Sequence, residues 1–132
     1  MLVFALLTTA LLFGGTVLYS FGFAAFVFTA LPAETAGPLI RRAFPHFYTF
    51  VLATSVLAAL ATVSRDPLSS ALLGAVAVTT IFARQILMPA INRATDRGDK
   101  SRFKVLHTAS VLITLAHIAA VAVVLVRLAG VS

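Results

Sequence analysis

Arg84 stands in the stretch IFARQILMP, where every other side chain except Gln85 is apolar. A guanidinium keeps its charge at any pH a protein meets, so this one must find an anion, carbonyl oxygens or water. Neutral hydrogen-bonding groups that could share its surroundings are Tyr48, Asn92, His107 and Ser110, and together with Arg84 they form a candidate ligand-binding set. His107, Ser110, Thr114 and His117 follow one another at spacings of three, four and three. At about 3.6 residues per turn, that spacing puts them on one narrow face of a helix. His46 and His107 open two different apolar segments on the same predicted side. Two histidines at one level on different helices are what axial ligation of a haem needs, and interfacial histidines bonded to loop backbone or lipid headgroups are the alternative.

The chemistry on offer is binding rather than turnover. No carboxylate pair is placed for acid and base work, no glycine loop is built to cradle phosphate, and no serine stands near a matching His and Asp. Cysteine is absent, which removes disulfides, thiolate metal sites and cysteine nucleophiles, and Met88 is the one internal methionine. No catalytic residue and no metal site is therefore expected, and no cofactor beyond the haem alternative.

The elements that must position these groups follow from composition. Of the 132 residues, 61% are apolar and 11% charged, against about 45–50% and about 25% in an ordinary soluble domain. A water-soluble chain this short could not bury so much apolar surface, so a bilayer must take the rest. Four segments, near 2–31, 43–64, 67–91 and 104–127, reach the roughly 20 residues that a spanning helix needs. They predict an all-α integral membrane four-helix bundle, one transmembrane domain over residues 1–132. The first segment carries no charge, has neither the basic start nor the short apolar stretch of a signal peptide, and must tilt, bend near Gly14, Gly15 or Gly22, or project beyond the bilayer.

The breaks between segments are chemically distinct. LPAETAGPLIRRAFP holds Pro32, Pro38 and Pro45 and reads as a loop over 32–42. SRDPL reads as a tight turn in which Asp66 caps the third helix and Pro67 takes its first position. NRATDRGDKSRFK is the polar loop, with Asp99 or Ser101 capping the fourth helix. With four spans, Arg41, Arg42, Arg93, Arg97, Lys100, Arg102 and Lys104 lie on one side, and only Arg65 and Arg127 on the other. The positive-inside rule then puts loops 32–42 and 92–104 in the cytoplasm, facing anionic lipid headgroups, and both termini on the non-cytoplasmic side of a bacterial inner membrane. The same distribution argues against a nucleic-acid partner, because the cations flank apolar segments.

Hydroxyl and small residues recur at helical spacing. Tyr48, Ser55 and Thr62 do so on the second segment, Thr9, Thr16 and Ser20 on the first, and Ala71, Ala75, Thr79 and Ala83 on the third. Such faces are packing surfaces between membrane helices. Arg84 keeps two readings at this point: an anchor that snorkels to the interface, or the cationic wall of a pocket.

The glycine pair in LLFGG, then FVFTALP, AGPLIRRAFPHFY, LMPAIN and RFKVLHTAS, in that order, resemble the DUF4149 or TMEM205-like membrane proteins. The resemblance covers most of the chain. It pairs Phe44, Pro45 and Tyr48 with a Phe-Pro-x-x-Tyr element, and Phe103, Leu106, His107 and Ser110 with a Phe-x-x-Leu-His-x-x-Ser element. It implies a four-helix membrane chain and carries no catalytic residues. The function expected is that of a non-enzymatic membrane protein, self-associating or an accessory subunit of a larger membrane complex. The alternative is a binder of haem, metal or a small ligand at the cytoplasmic rim.

Overall fold

A computed structural model describes residues 1–130, and these contain only helices and short turns. Four long helices make the bundle: α1 (Leu2–Ala30), α2 (Ala33–Thr62), α3 (Pro67–Asp96) and α4 (Lys100–Leu128). All four are long and apolar enough to cross a membrane, so the chain has the all-α, four-helix architecture its composition demands. At about 1.5 Å per residue each is roughly 45 Å long, half as long again as the ~30 Å of a hydrocarbon core.

The far turn, at residues 63–66, forms as its residue types require. Asp66 accepts from the Ser69 backbone N–H (3.3 Å) and from the Ser69 hydroxyl (2.6 Å), and Pro67 follows in the first helical position. Asp99 rather than Ser101 caps α4, accepting from the Arg102 N–H at 3.1 Å. Gly98 takes the left-handed φ of +67° that closes the end of α3, where its N–H donates to the Thr95 carbonyl and the Asp99 N–H to that of Ala94.

The two loops at the opposite end, here called the rim, are far shorter than the prolines and charges suggest. The predicted loop at 32–42 is instead the first three turns of α2, and Pro38 and Pro45 both lie inside that helix. The predicted loop at 92–104 shrinks to residues 97–99, because α3 runs on to Asp96 and α4 starts at Lys100. A proline removes only one backbone bond, and the turns on either side of it keep theirs. Neighbouring helices donate to two other carbonyls of this stretch of α2. The Tyr19 hydroxyl donates to the Ala43 carbonyl (3.0 Å), and Arg84 Nε donates to that of Pro45 (3.3 Å).

Two π-helical turns interrupt the α-geometry, at Leu18–Phe23 in α1 and Ala83–Leu87 in α3. Each inserts an extra residue into the ladder and re-aims the side chains around it. The first contains Tyr19, Ser20 and Gly22, and the second Arg84 and Gln85.

The helices pack as a ring, with α2 against α3 as its main seam. The first half of α1 contacts both α2 and α4, whereas its rim half packs on α2. Small and hydroxylated residues fill the seams as expected: Ser55, Ala58 and Thr62 of α2, Ser69 and Thr80 of α3, and Ala5 and Thr9 of α1 are fully buried. Most hydroxyls turn back on their own helix, as Thr62 does on Ala58 (2.9 Å) and Thr80 on Val76 (2.7 Å), while Ser70 crosses to the Ala59 carbonyl (2.8 Å). Ala71 and Ala75 differ from the others, because they are exposed, and Thr79, exposed as well, reaches across to His117 of α4. Two ion pairs close the bundle at opposite ends. Arg41 holds Asp96 through two bonds of 2.8 and 2.9 Å at the rim, and Arg127 holds Asp66 through two of 2.9 Å at the far turn.

Gly15 is required where it stands. A Cβ there would lie 2.5 Å from the Phe50 ring, whereas one on Gly14 would meet nothing within 4 Å. Gly15→Leu should therefore lower the melting temperature in detergent, by the equivalent of about 1–3 kcal/mol of overpacking. Gly14→Leu should leave it unchanged or raised, and a thermal scan of the two variants checks the contrast. The bond from Arg127, aided by those from Ser69, holds the Asp66 carboxyl well below the ordinary carboxylate range. A depressed carboxyl stabilises the fold fully above the unfolded value, near pH ~4, and ceases to do so as pH falls through the folded one. The stability gap between wild type and Asp66→Asn should hold constant from about pH 8 to about 5 and narrow below about 4.

Candidate functional site

The polar groups singled out by spacing divide into two sites on different faces of α2. The first is a cleft of about 140 Å³ at the rim, between α2, α3 and α4. Tyr48, Asn92, His107 and Ser110 line it, with Phe44 and Met88 as its apolar wall and Arg41 at its mouth. Tyr48 and Ser110 are in contact through their hydroxyls at 3.4 Å. His107 lies parallel to the Phe103 ring, with centroids 5.4 Å apart. The Arg41–Asp96 pair joins α2 to α3 at the cleft's mouth.

Arg84 does not join this cleft. It lies on the other side of α2, with Nε on the Pro45 carbonyl and Nη1 on Gln85 Oε1 (2.8 Å). There it lines a second, outward-facing furrow with Thr49, Leu52, Ile81 and Gln85. His46 follows Arg84 rather than His107. It stands two residues before Tyr48, about 200° away around the helix, so it points away from the cleft that His107 lines. The structure thus brings together four of the five candidate ligand-binding residues and separates both members of the candidate haem pair.

The stripe on α4 also divides. His107 and Ser110 face the rim cleft, Thr114 bonds back to the Ser110 carbonyl (3.0 Å), and His117 Nε2 meets the Thr79 hydroxyl of α3 at 2.6 Å. Among the described residues no three His, Asp or Glu side chains stand together as a metal would need. Chemically, the cleft offers two hydroxyls, an amide and an imidazole, which can orient a small polar group. None of them is paired as nucleophile and base.

Two features were not read from the sequence. An aromatic cluster joins α1 to α2 below the rim, with Tyr19 stacked on Phe47 (5.1 Å, 21°), Phe44 edge-on to Tyr19 (6.0 Å), and Phe47 packed beside Tyr48 (5.4 Å). Its signal is the pairing of LYSFGF with FPHFY, segments whose proximity only the bundle establishes. The other is an apolar groove of about 610 Å³ along α1. Tyr19, Phe23, Phe26 and Phe50 line it with Leu18 and Gly22, and the Phe50 ring lies over Gly15.

Comparison with known families places residues 7–100 in a match to the model described as Domain of unknown function (DUF4149). No curated protein and no solved structure matches the chain.

The absence of cysteine makes the cleft's mouth testable. In an Asn92→Cys variant, a water-soluble maleimide should label the thiol slowly from the rim. Adding Arg41→Gln, which breaks the pair with Asp96, should raise the labelling rate on the order of threefold, in line with a surface pair worth about 1 kcal/mol or less. An equal rate in both would show that the ion pair does not control entry.

Proposed function

The chain belongs to the DUF4149 family, and from that premise we propose that it is a non-enzymatic membrane protein that works by lateral association with another transmembrane helix, in the first place that of a second copy. One observation carries the reading: the groove on α1 is wholly apolar and walled by aromatic rings, and it leaves Gly22 exposed, whereas Gly15 is already covered by the Phe50 ring. Without a hydrophobic drive between helices in lipid, association depends on close van der Waals approach, and glycine permits it. Phe26 and Leu18, on the groove's edge, are 67% and 70% exposed, so a partner helix would find large side chains to pack against. An accessory role in a larger membrane complex uses the same groove with a foreign helix.

The charge distribution supports an orientation with the rim in the cytoplasm, since Arg41, Arg42, Arg93, Arg97, Lys100, Arg102 and Lys104 all stand at that end. Both termini then lie outside, in a bacterial inner membrane. Kinship to the TMEM205-like branch is part of this proposal and rests on the FPHFY and RFKVLHTAS elements.

A second reading, that the rim cleft holds a small ligand, is favoured by the convergence of Tyr48, Asn92, His107 and Ser110. Its 140 Å³ falls below the roughly 300–1,000 Å³ usual for ligand pockets, which suits a small polar molecule and gives haem little support.

Cysteine crosslinking tests the association. Phe26→Cys, in the groove, should form a disulfide-linked dimer on oxidation in native membranes, and Leu115→Cys, on the exposed face of α4, should not. Gly22→Leu should suppress the Phe26→Cys crosslink by about tenfold, because it fills the floor that a helix must approach. Undiminished crosslinking in that double variant would remove the groove as the interface.

A further inference from the structure

Arg84 is a permanent cation whose anion the protein does not supply. The four acids are Glu34 and Asp96 at the rim ends of α2 and α3, Asp66 in the far turn and Asp99 before α4. Asp66 and Asp96 are already held by Arg127 and Arg41. Arg84 has only the Pro45 carbonyl and the Gln85 amide oxygen, and its Nη2 has no acceptor among the described residues.

Depth is fixed by the far turn, where Arg65 and the Asp66–Arg127 pair must lie outside hydrocarbon. Arg84 follows Pro67 by 17 residues, so its Cα is about 26 Å from that edge and ~4 Å inside the other. Pro45 precedes Thr62, the last residue of α2, by 17 residues, so the carbonyl that Nε reaches lies near the level of the Arg84 Cα. The guanidinium therefore sits within about one helical turn of the hydrocarbon's edge, where it can draw in a lipid phosphate.

The furrow around it, about 420 Å³, is apolar at its deep end and cationic toward the rim. Leu52 lies deepest, Ile81, which is 48% exposed, and the exposed Thr49 lie level with each other above it, and Arg84 and Gln85 follow about one turn nearer the rim. On α2, exposed His46 and Arg42 continue the face of Thr49 toward the rim at spacings of three and four. An acyl chain against the deep part and a phosphate at Arg84 fit that arrangement.

We propose that the α2–α3 furrow is a binding site for one anionic phospholipid, whose phosphate is held by Arg84 and whose acyl chain lies along Leu52 and Ile81. Charge selects this occupant over a second copy of the chain, because no carboxylate of the sequence lies at the depth of Arg84. Guanidinium is suited to the task, since its planar fork gives a phosphate two parallel bonds. This site is separate from the α1 groove, so either can fail without the other.

The test is native mass spectrometry of the purified chain in mild detergent, titrated with dioleoylphosphatidylglycerol or with dioleoylphosphatidylcholine of the same chain length. Wild type should retain one phosphatidylglycerol per chain at on the order of five- to tenfold lower lipid concentration than phosphatidylcholine. Arg84→Gln should erase that preference, and Arg102→Gln, a cation at the exposed start of α4, should leave it intact. Ile81→Trp fills the furrow while keeping the cation, and should weaken retention of both lipids. Circular dichroism of each variant verifies the fold; if Arg84→Gln does not fold, Ile81→Trp decides. Equal retention of the two lipids by wild type would overturn the site, as would equal losses in Arg84→Gln and Arg102→Gln, or undiminished retention in Ile81→Trp. An Arg84-dependent dimer that excludes added phosphatidylglycerol would assign the furrow to a second copy instead.

Discussion

Where water is absent, a backbone N–H or C=O has no partner except another part of the chain, and the rest of this fold depends on that constraint. It makes each segment a helix from end to end and reduces the connections to a few residues. It also accounts for the helix running on through Pro45, which lies in the spanning part of α2. The same pressure turns the hydroxyls of Thr54, Thr62 and Thr80 back onto carbonyls of the preceding turn, which leaves their methyl groups to pack against the neighbouring helix. Thr9 and Thr16 depart from this pattern, because their hydroxyls are buried in α1 without a partner.

Much of the architecture was legible because it rests on composition and short-range chemistry. Four apolar segments, the Asp66 cap with Pro67 behind it, and the buried faces of Ser55, Thr62 and Thr9 all follow from spacing and residue type. The rim was misread because prolines that each remove one backbone bond were given the weight of helix ends. The three turns before Phe44 instead continue the helix, and Ala36 in their midst is fully buried.

The candidate site was legible in its membership and not in its division. Tyr48, Asn92, His107 and Ser110 do converge, as rim level and helical phase suggest. Arg84 and His46 belong to a different face. Arg84 precedes Asn92 by eight residues, which at about 100° per residue already sets the two roughly 80° apart around α3, so sharing the rim level does not give them one face. His46 was misplaced for the same reason, since level along the axis was weighed without angle around it.

The two ion pairs join parts of the chain 55 and 61 residues apart, and they sit at opposite ends of the bundle. Their partners emerge from the ribosome in a fixed order. Arg41 can meet Asp96 as soon as the third helix is complete, whereas Asp66 must wait for Arg127, beyond nearly the whole of the fourth. Order of synthesis thus lets the rim pair form with three helices made, whereas the far-turn pair needs nearly the whole chain.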